Sequence, residues 1–166
     1  MGKRVNRVKY HLDAKGIKQL PHHELKAILR AADPLIMSGG GTLLAKVLKR
    51  SKEKKLRELN LNSNPSYSYF NNLSIDEITA KIDWTVLKGF LAIKYDYRLP
   101  LLVYSPTGWE IEKETYSDEL LFKFDQLLES GVKDYNMIYL KDRNRQIINL
   151  LLDKIRNLKI LSIFQF

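Results

Sequence analysis

The sequence predicts a mostly helical α+β domain carrying a C-terminal helical appendage. Three observations lead there. Apolar residues recur at helical spacing through most of the chain. Residues 90–104 break that pattern with two apolar, β-prone runs separated by a short polar break. At 166 residues, with 45% hydrophobic and 10% aromatic side chains, the chain is long enough for one domain with a buried core.

The elements follow in order. Residues 1–21 read as a basic extension, and MGKRVNRVKYHLDAKG has no apolar run behind its cations, so no signal peptide is expected. Pro21 suits the first turn of a helix whose inward positions are Leu25, Ile28, Leu29 and Ala32. Pro34 should end or kink that helix near Asp33. Ser38-Gly39-Gly40-Gly41 reads as a turn. Thr42 is then the expected cap of a second helix bearing Leu43, Leu44, Val47 and Leu48. After the basic run Lys49–Lys55, Ser51 is the expected start of a short helix tethered by Leu56, Leu59 and Leu61. Residues 62–72 are turn formers and aromatics and read as an ordered loop.

Ser74 and Glu77 have capping-box spacing ahead of Ile75, Ile78, Ile82 and Val86, giving a third helix to about Lys88, closed by Gly89. Phe90–Tyr95 and Leu99–Tyr104 form a hairpin signal around Asp96-Tyr97-Arg98. Tyr97 takes positive φ only at a cost, so a loop longer than two residues is expected. Thr115 or Ser117 should cap a helix that turns Leu120, Leu121, Phe124, Leu127 and Leu128 inward and stops at Gly131. Asp142 should start the last helix, with Ile147, Ile148, Leu151, Ile155 and Leu158. Three helices followed by a hairpin is the order of a winged helix: a helix-turn-helix core with the hairpin as its wing. The expected boundaries are 1–21 for the extension, 22–114 for the winged helix and 115–166 for a helical hairpin.

Composition narrows the chemistry. There is no cysteine, which removes disulfides, thiolate zinc sites, iron–sulfur clusters and cysteine nucleophiles, and fits a reducing compartment. No stretch approaches the roughly 18 apolar residues of a membrane span. The expected protein is soluble and cytoplasmic. Its net charge of +9 is uneven: residues 1–60 hold 15 basic and 5 acidic side chains, whereas the rest of the chain is nearly balanced. Such asymmetry points to a polyanion partner, with a merely solubilising surface as the alternative.

Residues from about 22 to 113 resemble the RQC domain, the winged-helix DNA-binding module that follows the motor of RecQ-family helicases. The run KAILRAADPLIMSGGGTLLAKVLKRSKEKKLRELNLNSNPSYSYFNNLSIDEITAKIDWTVLKGFL carries the likeness, continuing to YSPTGWEI. Two family glycines are missing. Arg50 stands for one in VLKRSKEKKL, and Ser68 for the other in Tyr67-Ser68. Leu73-Ser74, Gly89 and Thr107-Gly108 fit. HLDAKGIKQLP and YRLPLLVY look closer still to small stand-alone bacterial proteins of the RQC-minor kind, sometimes labelled superfamily II helicases. A motor, however, needs a phosphate loop with lysine before Ser/Thr, and SGGGT has no lysine. The four-cysteine zinc subdomain of many RecQ proteins is missing too.

The candidate sites follow. His11, His22 and His23 read as surface or cap residues, because adjacent helix positions point apart. Glu110, Glu112 and Glu114 alternate like a solvated strand face. No catalytic constellation and no cofactor or metal motif is found, so the protein is expected not to be an enzyme. The basic junction Lys49, Arg50, Ser51, Lys52, Lys54 and Lys55 offers lysines and, at Ser51, a hydroxyl and backbone N–H groups to phosphate. At the wing tip lie Tyr95, Tyr97 and Arg98, and the resemblance implies that an aromatic there stacks on a duplex end. The alternative packs Tyr95 under the hairpin and leaves Tyr97 an exposed turn residue. Tyr67 completes the candidate DNA-binding set, with loop packing as its alternative; Trp84, Trp109 and Tyr69 read as packing residues. The third helix offers Asp76, Glu77, Thr79, Lys81, Asp83 and Lys88, half of them acidic and none suited to bidentate base reading.

The function expected is binding of duplex ends, forks or junctions, mainly through phosphates, beside a separate helicase in repair or replication. A winged-helix transcriptional regulator and an adaptor for an acidic protein are the rivals. The apolar tail Ile160, Leu161, Ile163, Phe164 and Phe166 should pack on the 117–130 helix or across a two-fold axis in a homodimer.

Overall fold

The computed structural model describes residues 6–131, 140–141 and 143–163, with side chains to residue 158. The apolar tail therefore lies outside the described side chains. Two compact units are present, Met1–Trp109 and Glu110–Phe166.

In the first unit α1 spans His22–Ala32, and the Pro21 carbonyl accepts the N–H groups of Glu24 and Leu25. Pro34 diverts the chain into a 3-10 turn, Asp33–Leu35. Helix α2 (Gly41–Lys49) starts ahead of Thr42 and has no side-chain cap. The glycines decide its start: a Cβ at Gly41 would run into the Tyr10 hydroxyl, and one at Gly40 would crowd the Pro100 carbonyl. The far end of α2 closes in a Schellman motif. The N–H of Ser51 reaches the Lys46 carbonyl and that of Arg50 the Val47 carbonyl, with Arg50 left-handed at φ 72°.

Short helix α3 is Lys54–Glu58, and its cap position is Glu53, not Ser51. Of its expected tethers, Leu56 and Leu61 are buried but Leu59 is exposed. The following loop is ordered because it satisfies helix ends. The N–H groups of Ser68 and Phe70 bond the Val47 and Leu48 carbonyls, and the Asn64 amide donates to the Ala31 carbonyl at 3.0 Å. Ser68 is also left-handed, at φ 70°. Helix α4 (Ile75–Leu87) has the full capping box: Glu77 N–H to Ser74 Oγ at 3.1 Å and Ser74 N–H to Glu77 Oε2 at 2.7 Å. Ile28, Leu29, Leu35, Leu44, Leu48, Leu56, Ile78, Ile82, Leu91 and Leu102 are the largest fully buried side chains of this unit. Each such burial is worth about 1.5–3 kcal/mol.

The wing is an antiparallel pair, β1 (Leu91–Asp96) and β2 (Leu99–Tyr104), with Asp96 opposite Leu99. Its loop is thus two residues, Tyr97-Arg98, and Tyr97 takes φ 55°. The expectation of a longer loop fails because register follows the inward side chains Leu91 and Leu102, and it leaves only two residues for the turn. The free edge of β2 is covered. Near its base Leu102 exchanges backbone bonds with Met37 and Gly39; at its tip Val8 N–H donates to the Arg98 carbonyl. Val8 belongs to an N-terminal arm that continues over α4. There the Tyr10 hydroxyl donates to Asp83 Oδ1 at 3.1 Å and the Asp13 N–H to Asp83 Oδ2 at 3.0 Å.

Helix α5 runs unbroken over Pro106–Glu129. Its cap is Ser105, whose Oγ accepts the Gly108 N–H at 3.0 Å, and Gly108 lies so close to the Phe90 carbonyl that no side chain fits. The expected start at Thr115 or Ser117 is overridden. Both hydroxyls instead donate back to carbonyls of the helix, Ile111 and Glu114. Glu110, Glu112 and Glu114 are therefore helical rather than on a strand, and Glu112 is buried.

In the second unit α6 is Arg145–Ile163. Its start follows Asn144, which accepts the Gln146 N–H, while Asp142 lies outside the described residues. Tyr116, Leu120, Ile147 and Leu151 are buried; Leu128 and Leu158, expected inward, are exposed. Lys154 joins α6 to α5 through Glu114, Asp118 and Ser117, each at 2.7 Å. Burial alone would lower its pKa, but the hydrogen bonds to Asp118 and Glu114 outweigh that and hold it high.

The backbone and Asp83 each generate a test of stability. Arg50→Gly and Ser68→Gly each remove a left-handed side chain costing about 1–2 kcal/mol, against about 0.5–1 kcal/mol of added chain entropy. Each should raise the melting temperature slightly, and Ser68→Val should lower it. For Asp83, burial outweighs its hydrogen bonds and raises its pKa above the ordinary 3.8. The folded state then holds a proton that the unfolded state has released, so stability falls as pH rises from about 4 through the raised value. An asparagine in its place can donate to the Tyr10 oxygen and accept from the Asp13 N–H. Melts at stepped pH should show Asp83→Asn flattening this fall. Asp83→Ala strands both partners and should cost about 1–3 kcal/mol.

Candidate nucleic-acid interface

The basic junction is built by the end of α2. Because the Schellman motif turns the chain outward, Arg50, Lys52, Lys54 and Lys55 are all exposed. They do not share one role. Lys54 pairs with Glu58 at 3.4 Å, whereas Arg50, Lys52 and Lys55 have no anionic partner among the described residues. Lys49 is turned inward: its ammonium donates to the carbonyls of Asn71 at 2.9 Å and Leu73 at 2.6 Å, fixing the approach to α4. Ser51 is engaged as well. Its hydroxyl accepts the Glu53 N–H at 3.3 Å, and its carbonyl accepts the Tyr67 hydroxyl at 2.9 Å. Ser51 therefore does not stand at a helix start, since α3 begins at Lys54, and its N–H is taken by the Lys46 carbonyl. Tyr67 instead braces the junction from behind.

At the wing the three candidates also divide. Tyr97 stands at the tip, 72% exposed. Tyr95 is half-buried, its hydroxyl donating to the Val8 carbonyl at 2.9 Å and its ring lying 5.0 Å from the Arg7 guanidinium. Arg98 donates its Nε–H to the Asn6 carbonyl at 3.0 Å and is exposed. Trp84 stacks on Phe90 with centroids 6.0 Å apart, and Trp109 packs against Tyr104, so both are packing residues.

Helix α4, which would enter a major groove in an ordinary winged helix, is mostly buried over its middle, with only Thr79, Lys81 and Val86 partly exposed there. Asp83 is 3% exposed beneath Tyr10 and Asp13, and Lys81 is paired with Glu24 at 2.8 Å. Burial drives the pKa of both Asp83 and the Tyr10 phenol upward. Among α4 residues, the exposed side chains lie at the two ends: Ile75, Asp76 and Glu77 at one, Leu87 at the other.

Sequence reasoning missed the arm as an ordered part of this surface. A cleft of about 490 Å³ is lined by Val8, Lys9 and Tyr10 of the arm, by Ser38–Gly40 ahead of α2 and Gly41–Leu43 and Lys46 within it, by Glu53 and Lys55, and by Leu99–Leu101 of the wing. Junction, arm and wing thus border one space. The one local signal was Tyr10-x-x-Asp13 within an otherwise basic stretch, which gives no hint of its distant partner Asp83.

No curated protein and no solved structure matches the chain. The model of the RQC domain matches residues 21–127, about two thirds of the sequence and the whole of the α1-to-wing architecture. The missing family glycines fall at Arg50 and Ser68, and the backbone is left-handed at both, as glycine positions require. With winged-helix order, ordered junction loop and hairpin all in place, the chain belongs to the RQC family of DNA-binding winged-helix domains.

Proposed function

We propose that this protein recognises DNA by its structure rather than its sequence, binding duplex ends, forks or junctions as a non-catalytic accessory to a separate helicase in repair or replication. One observation carries the reading. The arm covers α4 at Asp83, while the exposed cations gather at the junction and an exposed aromatic stands at the wing tip. Phosphate contacts from Arg50, Lys52 and Lys55 hold the backbone without reading bases. Tyr97 offers a flat ring to a terminal base pair, which is available only where the duplex ends.

Fluorescence titration of blunt duplex, forked duplex and long internal duplex tests this. Affinity should fall steeply between about 50 and 200 mM salt, and charge reversal at Lys52, Lys54 and Lys55 should weaken every substrate and flatten the salt slope by up to about 3. A reversed variant that binds like the parent removes the junction from the interface. Tyr97→Ala should cost about 1–3 kcal/mol on forks and ends, with little change on internal duplex. Equal loss on all substrates would make Tyr97 an ordinary turn residue.

A further inference from the structure

We propose that the N-terminal arm is itself a DNA-contacting element: Arg7 and Lys9 join the wing tip to the basic junction in one continuous phosphate track. The inference rests on the DNA-binding reading above and adds to it a third contact and the path between the other two.

The arm is held in place by bonds that leave its cations available. The Val8 N–H donates to the Arg98 carbonyl at 3.0 Å, the Val8 carbonyl accepts from Tyr95 at 2.9 Å, and Tyr10 and Asp13 anchor on Asp83. None of these uses the side chain of residue 7 or 9. Both side chains are exposed. Arg7 lies over the Tyr95 ring, which orients its guanidinium beside the wing without neutralising it. Lys9 has no anionic partner among the described residues and lines the same cleft as Lys55 of the junction. From the tip the cations run Arg98, Arg7, Lys9 and then Lys55. Two acids stand near this path: Glu53, already paired with Lys46 at 2.9 Å, and Asp96 beside the tip.

The occupant is a DNA backbone, and a single strand at that. A forked or tailed end stacked on Tyr97 sends an unpaired strand past the wing tip, and the arm meets the wing there, its Val8 N–H bonded to the Arg98 carbonyl and its Val8 carbonyl accepting from the Tyr95 hydroxyl. A strand with flexible phosphates can follow a line of separated cations that a rigid duplex end does not reach. The occluded α4 and the ordered arm are then two sides of one arrangement: the same segment that closes the recognition helix supplies the replacement cations.

The test uses the full chain with two variants, Lys9→Gln and the double Arg7→Gln with Lys9→Gln, titrated with blunt duplex and with duplex carrying a single-stranded tail at several salt concentrations. Melting should match the parent, since the anchoring bonds are untouched, and Lys9→Gln serves as the control because its side chain holds no hydrogen bond or ion pair among the described residues. Each lost phosphate contact should weaken tailed-duplex binding on the order of tenfold at about 0.1 M salt and lower the salt slope by about 1. Blunt duplex should change much less. If the parent binds both substrates and junction reversal weakens them, but the double variant matches the parent in affinity and slope, the arm is not a contact and DNA binding stands without it. Equal weakening on blunt and tailed duplex would also overturn the single-strand path. A parent that ignores both substrates overturns the DNA-binding reading itself.

Discussion

The buried carboxyl of Asp83 is the constraint on which the candidate interface depends. Taking a carboxyl out of water on the middle of a helix is costly unless its oxygens are satisfied, and here the satisfying donors come from some 70 residues away, on the arm. Once Tyr10 and Asp13 are fixed there, the arm has little choice of route. Tyr10 lies against Gly41, Val8 reaches the wing edge and Asn6 meets Arg98. The same pairing closes α4 to a groove. A single polar burial thereby decides both where α4 is covered and which segment borders the cleft beside the junction and wing.

The second device is the end of α2. Helix termini leave carbonyls that need donors, and here the donors come from Arg50, Ser51, Ser68 and Phe70. The arrangement needs left-handed backbone at two positions, and the chain uses arginine and serine where glycine is easier. At Arg50 the residue adds an exposed cation to the junction, so a local backbone cost coincides with a charge suited to phosphate. At Ser68 nothing in the structure explains the choice over glycine.

Much of the fold was legible because its signals are local. The capping box at Ser74 and Glu77, the breaks at Pro34 and Gly89 and the two apolar runs of the wing each depend on a few adjacent residues. What the sequence concealed depended on contacts between distant segments. Thr42 looked like a cap, but the approach of Tyr10 and Pro100 made Gly40 and Gly41 the deciding residues. Thr115 and Ser117 looked like a helix start, yet a hydroxyl that bonds its own preceding turn is equally at home inside a long helix. Tyr97 looked unable to close a two-residue turn until register left it no alternative. The candidate site was legible as a set of charges and illegible as a set of roles. Lys49, Tyr67 and Tyr95 carry chemistry suited to DNA but donate to backbone carbonyls of the protein, whereas Arg50, Lys52, Lys55 and Tyr97 stand exposed.

This division of labour bears on specificity. Reading bases requires side chains with paired donors and acceptors aimed into a groove, and the exposed ends of α4 offer Asp76 and Glu77, which repel phosphates before they could meet a base. Lysine and arginine at the junction bind any phosphate, and an aromatic ring stacks on any base pair. On the proposed reading, discrimination comes from geometry: where phosphates and an open base face occur at the separation between the junction and Tyr97. Interior duplex satisfies the first condition alone and single strand the second without a fixed separation. A terminus or branch point satisfies both. In that proposal, cations that individually carry no sequence information gain structural selectivity because Lys49, Tyr67 and the Schellman turn brace the junction, and the Asp83-anchored arm is bonded to the wing tip.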